Sequence, residues 1–402
     1  MRQATQVTDF DALRRRRKRG IFLRRFLKGF LVLAAISLLA YAIVNFNNLL
    51  VHRQFPTQVV NFVQGLYGPG FPARAPGGTL RDVKALGSDV AVLTDSALHL
   101  YNRSGRQMLG LQRISDASVL LTNDSRMLIY AQGSPHFSLY FQNRLVLEGE
   151  HDNAIISAAL GERGNYALVS TTMQFRSQVR VFDEQFRQYF EWSSPTELVA
   201  FVALNPRGTA MAAASICTSG GELLSSIFIF AFDAEELVAR LDFADELVLA
   251  LEYLDNDRVL LITDKGLRII NSATGAAIGS YDIPTGFRLA LFRLGGEHIL
   301  LLTENPEYRT QSVVLLNTRG TQLARAYPEL PVRDVQIGPH GVYLLTAEGV
   351  ARYDHALRRT GEVLSGGVLR ILLAGQALYY FTGEEIRVME FYYAEQETSP
   401  DA

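Results

Sequence analysis

Four segments of this chain can be laid over one another: TDSALHLYN (94–102), TDKGLRIIN (263–271), TAEGVARYD (346–354) and TGEEIRVME (382–390). Each reads as a strand-ending Thr, a turn of two or three residues, an alternating strand and, in the first three, a closing Asn or Asp. Self-similarity at a fixed period constrains a fold more than any local propensity does. The spacings of 169, 83 and 36 residues approximate four, two and one copies of a unit of about 41 residues. Seven such steps separate the first copy from the last, which implies eight units.

The intervening units lie where that period places them. Strand exits at Phe182-Asp183, Phe232-Asp233 and Leu316-Asn317 match Tyr101-Asn102 and Ile270-Asn271. Glycine turns such as NRSG (102–105), NSATG (271–275) and NTRG (317–320) follow several of them, the chemistry that a tight hairpin with a positive φ requires. Upstream of each exit are two further apolar runs, AIISAAL then NYALVST or LVLALEY then RVLLIT, joined by turn formers. Four short strands in about 40 residues are the signature of a β-propeller blade. A blade alone cannot bury both its faces, whereas blades packed in a ring can. The expected fold is therefore an all-β propeller of eight blades, with seven as the alternative count. VLLITD and HILLLTEN suit strands buried on both faces, and RQMLGLQR and HALRRTGEV suit outer strands that meet water.

The ring must also close. The last unit has three strand-like runs, VLRILLA, ALYYFT and EIRVMEF, and then only the polar AEQETSPDA. The missing strand is expected from the other end, with FPARA (71–75) pairing against the strand at 386–391.

Ahead of the ring, residues 26–44 are apolar except for Lys28, close to the roughly 20 residues that cross a hydrocarbon core. Nine basic residues precede that run, with Lys28 near its start as a tenth, against Asp9 and Asp11, so the positive-inside bias puts the N-terminus in the cytoplasm and the remainder outside. The expected organisation is a basic cytoplasmic tail (1–25), a transmembrane helix (26–46), a linker (47–69), the propeller (70–393) and a polar tail (394–402). Ala40, Tyr41 and Ala42 would suit a signal peptidase, making secretion after cleavage near Ala42 the alternative. Arg24 and Arg25 abut Phe26, Leu27 and Lys28 without the spacer of a twin-arginine signal. Beyond residue 53 remain 28 basic and 39 acidic residues, a balance unsuited to nucleic acid. Cys217 is the sole cysteine, so no internal disulfide forms; it is expected as a small buried hydrophobe.

The order basic tail, apolar span, FPARAPGG, then LTDSALHLYNRSGRQ, NYALVSTT, VRVFDEQFRQYFEWSS and VLLITDKGLRIIN resembles a family of single-pass membrane proteins of Gram-positive bacteria carrying a domain of unknown function. The resemblance implies a WD40-like or quinoprotein-like propeller outside the membrane. It assigns no activity and no catalytic residue.

Chemical signatures of enzymatic propellers are missing from the sequence. Trp192 is the only tryptophan, the seven histidines include no pair at metal-ligand spacing, and no nucleophile elbow, P-loop or dinucleotide fingerprint occurs. Catalytic, cofactor and metal sites are therefore expected to be none. The features that rise above background are three longer connections between second and third strands: TTMQFRSQ (171–178), CTSGGELLSS (217–226) and TENPEYRTQ (303–311). All three should open on one face of the disc. They carry Met173, Phe175, Arg176, Tyr308 and Arg309, types enriched at binding hot spots. These readings favour a non-enzymatic interaction module engaging an envelope protein or cell-wall glycan. The alternative is a glycan hydrolase or lyase using acidic residues of the central channel.

Overall fold

A computed structural model describes residues 70–390 apart from Arg113 and Ser365; the expected transmembrane helix and both polar tails lie outside the described residues. No helix among the described residues is long and apolar enough to cross a membrane. The period resolves into eight antiparallel sheets of four strands. Blades 1 to 7 span residues 80–112, 118–150, 155–194, 198–244, 248–282, 288–326 and 334–364, each taking its four strands in chain order. Blade 8 takes three strands from 370–390 and its outermost from Ala73–Arg74.

The closure follows the expectation from the sequence. Ala73 pairs with Ile386 and Arg74 with Glu385, antiparallel, and the Ala75 N–H donates to the Glu384 carbonyl at 2.8 Å. Phe71 meets Tyr379 edge-on at 5.4 Å between centroids. The Tyr101 hydroxyl of blade 1 donates to the Arg74 carbonyl at 2.8 Å, so the closing strand is also tied to the next blade. Gly105, at φ +74°, is needed there, because a Cβ would stand 2.3 Å from the Gly70 carbonyl oxygen.

Eight apolar clusters hold the ring, each shared by two successive blades. Alternate side chains of one strand go to opposite neighbours: Val90 and Val92 pack against blade 8, Ala91 and Leu93 against blade 2. The continuously apolar runs are the second strands, as in Arg258–Thr263 and His298–Asn305, buried on both faces. Fourth strands such as Gln107–Gln112 and Ala239–Ala244 alternate with solvent. First strands line the axis and contact one another around the ring.

The recurring Thr and Asn or Asp have defined tasks. Thr94 Oγ1 accepts from the Ala97 N–H at 3.0 Å, and Thr382 Oγ1 from the Glu385 N–H at 2.9 Å, fixing the turn into the third strand. Asn102, Asn271, Asn317 and Asp354 accept from backbone N–H groups two to four residues on, fixing the turn into the fourth. A second fastener joins blades: the connector residues His151, Glu197 and Glu246 hydrogen-bond hydroxyls of the next second strands, Ser170 and Thr263 at the strand ends and Ser215 within the longer strand of blade 4, at 3.0, 2.9 and 2.8 Å for His151, Glu246 and Glu197. The acid links are completed by Arg240 on Glu197 and Arg268 on Glu246.

Candidate interaction face

Antiparallel order within every blade puts all second-to-third turns, and all connectors from one blade to the next, on the same face of the disc. That face carries Met173, Leu198, Leu247, Leu249, Tyr308, Tyr327, Leu330 and Leu369, all exposed. Five first strands enter it through a bulge whose extra residue, Arg81, Ile156, Ala200, Leu249 or Ala290, stands unpaired at the mouth of the axis.

The three expected connections all open on this face, but they are not three loops. Residues 171–176 form a true loop of blade 3, with Met173 fully exposed at its tip, Arg176 exposed and Phe175 half-buried. Its base is held where the Phe175 N–H donates to Thr172 Oγ1 at 2.9 Å. In blade 4, by contrast, Ala210–Ser219 and Glu222–Ala231 continue as a ten-residue hairpin, leaving only Gly220 and Gly221 as the turn, at φ +63° and +91°. Polar TS and SS pairs read as loop in the sequence because they lack apolar alternation, yet the hairpin ladder satisfies their backbone. Cys217 sits on this extension beyond the packed ring and is half-exposed, not buried as expected. In blade 6 the strands run to Asn305 and from Thr310, and only 306–309 turn, with Arg309 at φ +53°.

Two blades separate Met173, Phe175 and Arg176 from Tyr308 and Arg309, so the five residues form two sectors of one face. The blade 6 sector is concave. A cleft of about 420 Å³ is lined by Arg309, Pro306, Arg288 and Glu304 on one side and by the blade 6 to 7 connector, Tyr327 to Pro331, on the other. Arg288 and Glu304 form an ion pair at 2.7 Å. Across the connector a second cleft, of about 350 Å³, runs down the flank of blade 7. Both share Tyr327, Pro328, Glu329 and Leu330. Gln311 clamps the connector, accepting from the Val332 N–H at 2.6 Å and donating to its carbonyl at 3.2 Å. The sequence reading passed over this connector. Its visible signal is YPELP, two prolines flanking Glu-Leu between strands, which presets an extended, outward-facing backbone.

The axis holds the charges that an enzymatic reading would need. The register aligns Lys84, Leu121, Ala159, Ala203, Glu252, Arg293, Gln336 and Leu372 at one level of the eight first strands. That level has a single carboxylate. Glu252 is reached by water yet ringed by protein atoms, as a side chain in a narrow channel is; this desolvation pushes its carboxyl up, against the pull of Lys84. Of the neighbouring acids, Asp334 is buried and tied to Arg293 at 3.0 Å and to the Ile371 and Val335 N–H groups at 3.1 and 2.9 Å. Burial raises its pKa, and Arg293 opposes the shift. Asp82 lies 3.7 Å from Lys84. No group of three metal-ligating side chains occurs among the described residues.

The chain belongs to the family of unknown function DUF5711, whose model matches residues 77–391. No curated protein matches the sequence. The fold is similar to that of the C-terminal WD40 domain of Sif2, at 13% identity and a TM-score of 0.55, over 79% of this chain and all of that one. It is likewise similar to the computationally designed Ika8 protein, at 10% identity and a TM-score of 0.55 over 80% of this chain and 98% of that one. A eukaryotic initiation factor gives 11% identity and a TM-score of 0.54 over 82% of this chain and 89% of that one. At these identities the likeness is one of fold, a WD40-like propeller.

Proposed function

We propose that this propeller is a non-enzymatic interaction module, held at the outer side of the cell membrane by the apolar run 26–44 and engaging an envelope protein through the face just described. The observation that carries the reading is the concave sector where Tyr327, 62% exposed, stands with Arg309 around a cleft, beside Tyr308, 70% exposed on the same turn as Arg309. Exposed aromatic and arginine side chains around a groove are what binding hot spots are made of. The nine basic residues ahead of the run, with Lys28 near its start, and the acidic excess after residue 53 support the orientation. The channel-sited hydrolase is the weaker reading. Glycosidic cleavage uses two carboxyl groups about 5–10 Å apart, and Glu252 is the lone carboxylate of its level while Asp334 is fully engaged.

A photo-crosslinking amino acid placed in intact cells at Tyr308, and separately at Met173, tests this. Tyr189, exposed on the opposite face at the start of a fourth strand, is the control. Discrete adducts are expected from Tyr308, and their loss on replacing Arg176 and Arg309 together. Equal adducts from Tyr189, or none from either position on the candidate face, would overturn the reading.

A further inference from the structure

The two clefts flanking Tyr327 to Leu330 differ in charge. On the blade 6 side, Arg288 and Glu304 neutralise each other, and Arg309 and Glu329 line the cleft from its two sides. On the blade 7 side, the floor is apolar, with Leu344, Val350 and Ala351 buried and Tyr353 half-buried, and the rim carries Glu329, Glu348 and Glu362. Arg359, the one cation lining it, is already engaged by Glu362. Glu329 and Glu348 are exposed, and neither side chain has a hydrogen-bonding or ionic partner among the described residues. An apolar, tyrosine-walled floor beneath two uncommitted carboxylates matches a long cationic side chain, whose methylene stem packs on the floor while its head meets the acids and the aromatic rings. The two clefts flank one connector and share Tyr327 to Leu330 as their common wall, so the groove they form together is longer than a single side chain needs, and an extended chain crossing that connector can reach both.

We propose that this groove receives an extended protein segment that places a lysine or arginine between Glu329 and Glu348, with a neighbouring residue of the segment reaching Arg309. The proposal rests on the interaction reading above and names the chemistry of its partner. Neither carboxylate supports the fold, so both can be replaced without disturbing it.

The test is selection of a random dodecapeptide display library on immobilised full-length chain in detergent. Enriched peptides are expected to share a lysine or arginine, and the leading one, fluorescently labelled, is measured by anisotropy against the wild type and a Glu329→Gln, Glu348→Gln variant. Affinity should fall at least tenfold in the variant at unchanged melting temperature, and stay unchanged in a Glu162→Gln control, an exposed carboxylate in a turn of the opposite face. Enrichment of peptides without a shared cation, no enrichment, or equal affinity for both proteins would overturn the proposal. Adducts from Tyr308 in cells alongside any of those results would leave the interaction reading standing and remove only this partner chemistry, whereas the absence of adducts from both Tyr308 and Met173 would remove both.

Discussion

Ring closure between the two ends of the propeller can be tested by a covalent staple. Arg74 and Glu385 are direct register partners in the closing sheet. Opposed residues of an antiparallel ladder have Cα atoms about 4.5–5.5 Å apart, within the range a disulfide spans. Arg74→Cys with Glu385→Cys, in a Cys217→Ser background, should therefore oxidise spontaneously. Arg74 is exposed, and the Glu385 carboxylate makes only a surface pair with Arg387 at 3.1 Å, so the substitutions themselves cost at most about 1 kcal/mol. The bond would close a loop of about 310 residues, for which the chain-entropy relation gives an upper value of about 6 kcal/mol at 25 °C. Engineered bonds deliver less, and about 3–5 kcal/mol is the reasonable expectation. At roughly 2 °C per kcal/mol for a body of this size, the oxidised protein should melt about 6–10 °C above its dithiothreitol-reduced form. Thiol titration and non-reducing gels report the bond, and scanning calorimetry its effect. Thiols that stay free, bonds that form only between molecules, or equal melting of oxidised and reduced protein would refute the closure. The placement of such a bond at Arg74 would then have to be sought with another strand.

Two further predictions concern the seams between blades. Arg126 is fully buried between blades 2 and 3, where its Nη1 donates to the Gly164 and Glu184 carbonyls at 3.3 and 3.4 Å; Arg126→Met should cost about 2–4 kcal/mol in urea unfolding, and Arg126→Lys should recover part of that, since both bonds leave one nitrogen and an ammonium carries donors enough for two carbonyls. At the blade 6 to 7 seam, the His298 and His355 rings stack at 4.8 Å and 10°, with His355 Nε2 3.0 Å from the Gly338 carbonyl. Desolvation and then the His355 charge hold His298 below its usual pKa, with Glu297 pulling the other way. Its unfolded form thus binds the proton more readily, and stability should fall as pH drops through about 6.5, levelling off below the folded-state value. Buried Asp89, pushed up to about 6, titrates in the opposite sense, so the readout is the difference between wild type and His298→Asn: melting temperatures taken from pH 7.5 to 5.5 should fall less in the variant.

The fold was legible because its repeated elements are marked by residues with local jobs. Thr94, Thr263, Thr346 and Thr382 all use a hydroxyl on the same turn, and Asn102, Asn271, Asn317 and Asp354 all anchor the next. Such bonds reach only a few residues along the chain, so they survive drift of everything packed elsewhere and can be read in one dimension. First strands were harder to read. VLALEY and RLALFRLG mix apolar and charged residues because one edge of each faces the axis, and a bulge shifts the alternation by one.

The candidate site escaped for the complementary reason. Tyr308 and Arg309 stand out as exposed hot-spot types on a long turn, but the groove that gives them a purpose is made by a connector some 20 residues later and by Glu348, which lies in a turn of the next blade. Those parts meet only because the blades are stacked at a fixed angle by the apolar cluster of Leu302, Val313, Val335 and Leu344 between them. A propeller therefore separates the two problems physically. Its blades are specified by short-range turn chemistry and period-two burial, which repeat and can be recognised. Its binding surface is specified by which non-repeating side chains happen to flank one seam, and that is a property of the ring. The YPELP connector is the exception that bridges them: two prolines in a seven-residue link mark a backbone preset to stand away from both blades, and a sequence search of other ring-forming chains for such a link should locate their grooves as well.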